Sequence, residues 1–352
     1  MSSPDVDSPT PVAIRRGPAP EMPSTGPLVD GFGRIHTDLR VSVTDRCNLR
    51  CVYCMPEEGV AFGARDQILT YEELLRVVRV AQALGVRTVR LTGGEPLVRR
   101  GIVDFVRGLA RLGLDDIAMT TNAMDLARLA APLADAGLTR VNVSCDSLRA
   151  DRFAEIRRRG DLDTVLAAMD AADRAGLGPV KVNVVLMAGV NDDEVLDFAA
   201  FARSTARVVR FIEFMPLDGD HSWAPTSVVA SSEVVARIDR VWPLERVAGA
   251  HEVAPAVRYR FRDGQGEIGV IATVTQPFCG TCDRLRLTAD GHVRNCLFAQ
   301  RETPLRDVMR AGCDDSTIEM ALRRSVWEKK AGRGSDDLQL LRPRRSMSMI
   351  GG

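Results

Sequence analysis

Short β-branched runs alternate with longer amphipathic segments over residues 39–215. Short runs of this kind are typical of buried strands, whereas apolar residues that recur every three or four positions are typical of helices. The pattern predicts six βα units, and right-handed crossovers between them give a parallel sheet. The predicted strands are Leu39–Thr44, Thr88–Leu91, Ile117–Thr120, Arg140–Ser144, Val180–Leu186 and Val208–Phe214, and the predicted helices are Tyr71–Leu84, Gly101–Leu112, Leu126–Ala136, two segments within 151–175, and Asp192–Ser204.

Six units without a clear seventh and eighth predict an α/β fold, a partial (βα)6 barrel of the TIM type. A doubly wound open sheet is the alternative, because periodicity alone does not show whether a sheet curls. Beyond Leu217 the pattern changes to short β-rich segments, a hairpin signal at Ala289-Asp290-Gly291, and two further helices. This C-terminal α+β region is predicted to close the mouth of the barrel.

The chain divides into four predicted parts. Residues 1–32 are rich in Pro, Ser and Gly and are predicted to form a disordered leader, and residues 33–217 form the barrel. Residues 218–341 form the C-terminal region, and residues 342–352 form a mobile tail that ends in Gly351-Gly352. A mobile segment with a specific apolar-then-glycine end suggests insertion, since glycine has no Cβ and fits a crowded cavity. A frayed chain end without a role is the alternative.

Composition argues against several classes of partner. Lys plus Arg and Asp plus Glu both total 47, so no net charge attracts nucleic acid or an anionic membrane. No apolar run is long enough to span a bilayer, and the N-terminus lacks the apolar core of a signal peptide. We therefore expect a cytoplasmic protein without a nucleic-acid or membrane partner, in which any anion site is local.

Three cysteines, Cys47, Cys51 and Cys54, follow the first predicted strand as a CxxxCxxC loop. Thiolates this close together can hold an iron–sulfur cubane, but they leave one iron open to a ligand that is not protein. A zinc site or a scatter of core cysteines is the alternative, although zinc prefers a closed tetrahedral set. The nearest candidate for a fourth ligand, His36, lies on the far side of the strand.

A second group of three cysteines comprises Cys279, Cys282 and Cys296, the last after a hairpin-like stretch. Zinc ribbons pair two CxxC motifs, and here the second motif is a single cysteine, which disfavours structural zinc. Disulfides are disfavoured because nothing marks the chain as secreted. Cys145 and Cys313 are expected to be small buried hydrophobes.

Residues with useful chemistry follow the other predicted strands, whose carboxyl ends gather at one edge of a parallel sheet. The segment Gly93-Gly94-Glu95-Pro96 follows the second strand, where glycines permit close backbone approach and carbonyls with Glu95 could bind an ammonium. A plain turn is equally compatible with this motif. Thr120 ends the third strand, Ser144 ends the fourth, and Met215 follows the sixth, with capping and core packing as the alternatives.

Basic residues lie within strands that are otherwise apolar. Unpaired cations are costly in a barrel interior, so they need partners. A solvated outer face explains any one of them, but a set on converging elements predicts a polyanion such as a triphosphate, since each cation about 4 Å from a phosphate gains ~4 kcal/mol. The set is Arg40, Arg90, Lys181, Arg210, Arg284 and Arg286, and Lys181 falls so early in its strand that only its long stem could reach the site.

The CxxxCxxC loop resembles the signature of the radical S-adenosylmethionine (SAM) enzymes, and the chain as a whole resembles the GTP 3′,8-cyclase family within them. The similarity covers residues from about 33 to 352 and rests on CNLRCVYCMP, RLTGGEPLVRR, MTTN, VNVSCDSL, VKVNVVLMAGVND, VRFIEFMP, FCGTCDRLRLTADGHVRNCLF and the terminal Gly-Gly. The first loop alone marks a very large superfamily. The second cysteine set, which encloses RLR, and the double glycine are specific to this family.

The resemblance implies two 4Fe-4S clusters and SAM as cofactors. By position, the first cysteine group would ligate the SAM cluster, and the second group would ligate an auxiliary cluster whose open iron binds the guanine edge of GTP. The ligands would be Cys47, Cys51 and Cys54 for the first cluster and Cys279, Cys282 and Cys296 for the second.

The same resemblance implies contacts for both small molecules. Thr88 stands where the family pattern leads us to expect a lysine, which removes one charge from the triphosphate clamp. The implied SAM contacts are Tyr53, Gly94, Glu95, Ser144 and Met215; the implied GTP contacts are Arg40, Arg90, Thr120, Lys181, Arg210, Arg284, Leu285 and Arg286; and the implied catalytic residues are Arg40, Gly351 and Gly352.

The implied activity is conversion of GTP to (8S)-3′,8-cyclo-7,8-dihydro-GTP, the first step of molybdenum cofactor biosynthesis, through a 5′-deoxyadenosyl radical that takes the C3′ hydrogen. The implied partners are GTP, an external electron donor and, downstream, cyclic pyranopterin monophosphate synthase, and a homodimer is left open. One alternative is another radical SAM enzyme with an auxiliary cluster, such as a peptide-modifying enzyme. The other is a non-catalytic electron-transfer or zinc-stabilised protein.

Overall fold

The computed structural model describes residues 21–247, 254–332 and 345–351. Among these residues, no helix has the length and apolar content needed to cross a membrane. The strands are β1 Asp38–Ser42, β2 Thr88–Thr92, β3 Asp116–Thr121, β4 Arg140–Ser144, β5 Lys181–Leu186, β6 Val208–Glu213, β7 Leu244–Arg246, β8 Val257–Phe261, β9 Glu267–Ile271, β10 Arg284–Leu287, β11 His292–Arg294 and β12 Thr303–Pro304. The helices are α1 Tyr71–Ala83, α2 Ile102–Ala110, α3 Leu126–Asp135, α4 Ala150–Arg157, α5 Leu162–Arg174, α6 Val195–Thr205, α7 Ser231–Asp239, α8 Arg306–Arg310, α9 Asp315–Trp327 and α10 Met347–Ile350.

Strands β1 to β6 pair in parallel, each with the next one along the chain. Local sequence supports the crossovers: α1 begins at a capping box, in which Thr70 accepts from Glu73 N and the Glu73 carboxylate accepts from Thr70 N. Strands β12 and β7 end the order of the sheet and do not pair with each other in the part of the chain that the structure describes. The sheet is therefore open, and the predicted α/β partial barrel is confirmed.

The C-terminal region adds strands to both edges of this parallel core. Strand β10 pairs in parallel with β1, and β9 pairs in parallel with β6. Antiparallel neighbours extend the sheet further, with β11 and β12 on one side and β8 and β7 on the other. The sequence predicted a cover over the barrel mouth, and the structure also uses this region to satisfy the backbone N–H and C=O groups of β1 and β6, which would otherwise be open edges.

Alternation along the parallel strands separates a helix-facing core from an inward-facing polar row. Leu39, Val41 and Leu91 are fully buried in the main hydrophobic core. Arg40 and Arg90 lie between such residues and line the barrel cavity instead. Because the register pairs Arg40 with Arg90, polar side chains of neighbouring strands enter the cavity at the same height.

Folded structure begins before residue 32, where the leader was predicted to end. Leu28 is fully buried, and its backbone N–H donates to Leu84 O at 3.0 Å. The buried Asp30 carboxylate accepts from Arg34 Nε at 2.6 Å and lies 3.1 Å from His36 Nε2. The leader was predicted from average composition, which does not reveal single contacts of this kind. Residues 1–20 lie outside the described part of the chain.

Candidate active site

One cavity of about 300 Å³ opens where the parallel strands end. All six cysteines of the two predicted groups line it, and all are free thiols. Arginines from β1, β2, β6 and β10 line the same cavity. The structure therefore brings the predicted thiol groups and the predicted cation row into a single site.

The first cysteine loop is held against the end of α4 by backbone hydrogen bonds. Arg50 N donates to Arg157 O at 3.2 Å, and Val52 N donates to Ile156 O at 3.0 Å. Within the loop, the backbone N–H groups of Cys54 and Met55 both donate to Cys51 O, at 3.0 Å. The turn gathers the thiols of the loop on the cavity side.

Hydrogen-bond donors point at two sulfurs of this loop. Leu49 N lies 3.4 Å from Cys47 Sγ, and Arg157 Nη1 lies 3.3 Å from Cys51 Sγ. Burial raises the pKa of Cys47 to about 11 and raises that of Cys54 further, so a thiolate here needs compensating positive charge. The irons of a cluster supply that charge, and N–H donors to the sulfurs are typical of cluster ligands. The loop therefore fits a cluster held by three thiolates.

Asp146 links Tyr53 to Arg157 beside the first cysteine loop. Tyr53 Oη donates to Asp146 Oδ2 at 2.9 Å, and Arg157 Nη2 lies 2.7 Å from the same oxygen. Val185 N donates to Asp146 Oδ1 at 2.9 Å, so the carboxylate of this buried ion pair accepts hydrogen bonds from Tyr53 and Val185. Sequence reasoning missed this pair. Asp146 stands in the VNVSCDSL motif, whereas only the tertiary fold brings Arg157 to Cys51.

Gly93 and Gly94 allow the end of β2 to press against the start of the cysteine loop. Gly94 N donates to Thr44 O at 2.8 Å, and Glu95 N donates to Arg46 O at 2.8 Å. A Cβ at Gly93 would overlap the carbonyl oxygen of Thr44, and a Cβ at Gly94 would overlap that of Arg46. Gly93 also has a φ of 135°, which L side chains rarely adopt. The close backbone approach therefore requires glycine at both positions.

Glu95 is buried and accepts three hydrogen bonds. Leu97 N and Thr121 Oγ1 donate to Oε1 at 3.0 and 2.8 Å, and Asn122 N donates to Oε2 at 2.7 Å. Burial raises the pKa of Glu95 to about 7 despite these donors. A carboxylate has about four acceptor positions, so one is left for a ligand. Glu95 lies on the cavity wall, where an ammonium group could donate a hydrogen bond to its carboxylate.

Lys329, shortly after α9, contacts the second cysteine group. Its Nζ lies 3.4 Å from Cys282 Sγ and donates to Arg284 O at 2.8 Å. Burial alone would raise the pKa of Cys282, but Arg284 and Lys329 outweigh it and lower the value to about 7. A thiolate is the form that binds metal, so this environment suits ligation. Sequence reasoning missed Lys329 because 47 residues separate it from Cys282.

The zinc alternative requires ligands that converge on one ion. Within residues 21–247, 254–332 and 345–351, no group of three His, Cys, Asp or Glu side chains could hold a single metal ion. An iron–sulfur cubane places each thiolate on a different iron, so its ligands stand further apart. The cluster prediction does not depend on such convergence.

Five arginines from neighbouring strands line the cavity, and we call them the arginine row: Arg40, Arg90, Arg210, Arg284 and Arg286. The register of β1 pairs Arg40 with Arg90 on one side and with Arg286 on the other. In the described chain, the Nε atoms of Arg40 and Arg90 have no hydrogen-bond partner, nor do Nε and Nη2 of Arg284. Burial lowers the pKa of Arg40, Arg90 and Arg210, and neighbouring arginines lower it further, whereas Asp38 partly opposes the shift at Arg40 and Arg90. Because arginine stays charged in proteins, the row needs an anion.

The other predicted contacts divide between the cavity wall and places outside it. Lys181 starts β5 and does not line the cavity, and burial together with Arg210 lowers its pKa to about 7. Leu285 is fully buried in the hydrophobic core, because alternation along β10 turns it away from the arginines on either side. Thr88 pairs with Asp38 and also lies outside the lining. The predicted contacts that line the cavity, besides the arginine row, are Tyr53, Gly94, Glu95, Thr120, Ser144 and Met215.

The C-terminal tail reaches the arginine row. Arg286 Nη1 donates to the carbonyl oxygen of Gly351. Gly351 has a φ of 74°, and a Cβ there would overlap Ser42 Oγ and Thr92 Oγ1. Gly352, the other predicted catalytic glycine, lies outside the described residues.

Two families match adjacent stretches of the chain. The Radical SAM superfamily matches residues 41–202, and Molybdenum Cofactor Synthesis C matches residues 207–334. The first stretch contains Cys47, Cys51 and Cys54, and the second contains Cys279, Cys282 and Cys296. The cavity therefore lies between elements of both families.

Several relatives are similar over nearly the whole chain. The chain is 46% identical to GTP 3′,8-cyclase from Corynebacterium glutamicum over 92% of its own length and 89% of the relative. It is 48% identical to GTP 3′,8-cyclase from Mycobacterium sp. (strain KMS), covering 95% of this chain and 96% of the relative. It is also 48% identical to GTP 3′,8-cyclase from Streptomyces coelicolor, covering 92% and 96%.

Solved structures share the fold at much lower identity. Streptococcus suis SuiB bound to precursor peptide SuiA aligns with a TM-score of 0.58 and 12% identity, over 86% of this chain and 67% of that one. Native anSMEcpe with bound AdoMet aligns with a TM-score of 0.56 and 14% identity, over 84% and 81%. At these identities the likeness concerns the fold alone.

The tight approach at Gly94 gives a first prediction. Gly94→Ala should lower the free energy of unfolding by about 1–3 kcal/mol, because the added Cβ must displace the cysteine loop. Urea unfolding measures the loss. Gly31→Ala is the matched control, since its Cβ would stand 3.6 Å from Trp327 O, an ordinary contact. Equal, small effects of both substitutions would contradict the argument.

The separate positions of the two cysteine groups give a second prediction. After anaerobic reconstitution, Cys51→Ala should retain about half of the wild-type iron, and Cys282→Ala should retain the other half, because each loop holds its own cluster. Iron and sulfide analysis with electron paramagnetic resonance checks this. Cys313→Ala, which removes a half-buried thiol outside the cavity lining, should keep all the iron. Loss of all iron, or of none, in either variant would contradict two independent sites.

Proposed function

Because the chain belongs to the GTP 3′,8-cyclase family of radical SAM enzymes, we propose that it converts GTP to (8S)-3′,8-cyclo-7,8-dihydro-GTP. This reaction is the first step of molybdenum cofactor biosynthesis, in agreement with the second matching family. The observation that carries the proposal is one cavity that combines two three-thiol loops with a row of arginines, three of which have guanidinium nitrogens without a hydrogen-bond partner among the described residues.

The cysteine loops would hold the two 4Fe-4S clusters, Cys47, Cys51 and Cys54 the first and Cys279, Cys282 and Cys296 the second. When bound, the first cluster supplies the electron for reductive cleavage of SAM, and hence the radical that removes the C3′ hydrogen of GTP. Both loops open onto the same cavity, so SAM and GTP can lie in contact.

The proposed SAM and GTP sites lie on parts of the cavity wall that differ in charge. The segment Gly93–Glu95 exposes backbone and one buried carboxylate, which suit the amino group of SAM, and Tyr53 is fixed beside it by Asp146. Thr120, Ser144 and Met215 lie on the same lining and are the further contacts that we propose.

The arginine row suits the triphosphate of GTP. Each guanidinium about 4 Å from a phosphate gains ~4 kcal/mol at the effective dielectric near a surface, which offsets the repulsion within the row. Arg40 lies at its centre, paired in register with Arg90 and Arg286, and we propose it as a catalytic residue that places the ribose by holding the phosphates. Lys181 and Leu285 lie outside the cavity lining. Lys181 could reach GTP only through its long side chain, and Leu285 could support the site only by packing beneath it.

Apolar side chains exclude water from the rest of the cavity. Val185, Ile212, Ile271, Phe278 and Leu297 contribute to its lining. A carbon-centred radical reacts with whatever hydrogen donor is near, so a dry, well-filled cavity protects it. The chain's contribution to catalysis is therefore positioning and exclusion of solvent.

Further partners follow from the reaction. The first cluster needs an external electron donor, and the product is consumed by cyclic pyranopterin monophosphate synthase. We propose that the protein acts in the cytoplasm. A homodimer is compatible with this assignment and is not required by it.

The function is tested by anaerobic assay. Reconstituted protein is incubated with GTP, SAM and dithionite, and products are separated by liquid chromatography with mass detection. We expect equal amounts of 5′-deoxyadenosine and a cyclised nucleotide isomeric with the GTP consumed. Cleavage of SAM without loss of GTP would reject the substrate, and a peptide-modifying enzyme would behave in that way.

The unpartnered cations give a third prediction. Arg90→Gln should weaken GTP binding by about 1–3 kcal/mol, the cost of a lost charge-assisted bond. The free energy of unfolding should stay equal or increase, because the substitution removes one of several neighbouring cations, whose Nε has no hydrogen-bond partner among the described residues. Calorimetric titration with GTP and urea unfolding measure both quantities.

Arg140→Gln is the matched control for this prediction. Arg140 lies outside the cavity lining and binds Asp116, with Nε 3.1 Å from Oδ1. Its loss should lower stability and leave GTP affinity unchanged. Weaker GTP binding in both variants, or lower stability in both, would show that Arg90 has a structural role instead.

The position of Gly351 gives a fourth prediction. Gly351→Ala should lower turnover at least about tenfold, because the new Cβ overlaps Ser42 and Thr92 and expels the tail. Both clusters and GTP binding should persist, as measured by iron content and titration. Full activity of Gly351→Ala would contradict a catalytic role for the inserted tail.

A further inference from the structure

Arg345 joins the tail to the hairpin formed by β10 and β11. Its Nη1 lies 2.7 Å from Asp290 Oδ2, and its Nη2 lies 2.9 Å from Glu302 Oε2. The same Nη2 lies 3.5 Å from His292 Nδ1. One guanidinium thus bridges two carboxylates, one in the hairpin turn and one just before β12.

Both carboxylates are themselves held in place. Thr288 Oγ1 donates to Asp290 Oδ1 at 2.6 Å, and Asp290 Oδ2 faces both Arg345 and His292 Nδ1, the latter at 3.2 Å. Glu302 Oε1 accepts from Arg294 Nη1, which leaves Oε2 for Arg345. The two carboxylates that bind Arg345 are thus held by residues outside the tail, which favours a receptor that is ordered before the tail docks.

The tail needs such an external support. Helix α10, Met347–Ile350, is a single turn, and helices this short have no stability of their own in water. Ile350 is buried, but apolar burial is non-directional and does not fix how far the tail advances. Planar, two-point recognition of carboxylates by arginine does fix position.

The same hairpin holds the tail at its other end. Arg286, on β10, donates to Gly351 O, while Asp290, in the turn that follows β10, binds Arg345. The two contacts are four residues apart on the hairpin and six apart on the tail. They define how much of the tail lies between the turn and the cavity.

We propose that Arg345, with Asp290 and Glu302, is an ionic latch that sets the register of the tail and so positions Gly351 against the arginine row. Arg345 is a positioning residue, since it acts through the tail and does not line the cavity. The consequence for turnover rests on the proposed function, but the latch itself is a property of the chain alone.

Hydrogen exchange of the full-length protein tests the latch directly. The N–H groups of Met349 and Gly351 are hydrogen-bonded to Ser346 O at 3.0 Å and to Met347 O at 3.1 Å, so a peptide covering residues 345–351 reports the attachment of the tail. Arg345→Gln should speed exchange there about three- to tenfold, the range expected for losing two partly exposed ion pairs. Arg345→Lys should recover part of the protection.

Matched variants separate the latch from general effects. Arg310→Gln removes another arginine with two carboxylate contacts, to Glu73 at 2.7 and 3.1 Å, and should not change exchange in the tail. Asp290→Asn should speed exchange less than Arg345→Gln, because Glu302 remains, and adding it to Arg345→Gln should have no further effect. Unchanged exchange over the strands of the barrel shows that each variant is folded.

Exchange in Arg345→Gln equal to that of wild type would overturn the latch. If wild type cyclises GTP, Arg345→Gln should lower kcat with little change in KM for GTP, and an unchanged kcat would overturn its positioning role. If wild type does not cyclise GTP, the proposed function fails, whereas the exchange comparison still decides whether the latch exists.

Discussion

Repulsion among closely spaced arginines is the constraint around which the cavity is organised. Arg40, Arg90 and Arg286 stand side by side because three parallel strands are paired in register. Burying like charges without counter-ions costs stability, so the sheet must hold them by the burial of Leu39, Val41 and their neighbours on its opposite face. A preorganised anion site requires this arrangement, in which a well-packed fold holds mutually repelling cations in place before the anion binds.

The formal net charge of zero gives no indication of this local concentration of positive charge. Two other buried arginines have carboxylate partners: Arg157, on the wall of the same cavity, lies 2.7 Å from Asp146, and Arg207 lies 2.8 Å from Asp173. In the cavity, the Nε atoms of Arg40 and Arg90 have no partner within the described residues. The contrast between paired and unpaired cations, and not their number, distinguishes a binding site from structural ion pairs.

Local signals in the sequence predicted much of this structure. Strand β4 was predicted with its observed bounds, Arg140–Ser144, because alternating apolar residues and flanking turn residues mark it. The cysteine groups were recognisable because their members are close in sequence. The pairing of β10 with β1 and the contact of Lys329 with Cys282 were not predicted, since residues far apart in the chain carry no mutual signal in one sequence. Leu285 stays a prediction as a GTP contact, but alternation along β10, which the motif alone does not show, buries its side chain in the core.

The hairpin of β10 and β11 connects these features. It follows Cys282 directly, carries Arg284 and Arg286, and ends two residues before Cys296. A cluster bound by the second cysteine set would therefore also restrict the positions of Arg284 and Arg286, because paired, well-packed strands move little relative to one another. The same hairpin receives the tail at Arg286 and Asp290. The hairpin thus adjoins the second cysteine set, carries two arginines of the row and holds both ends of the tail, so loss of the tail removes a neighbour of the anion site while the paired strands keep the arginines in place.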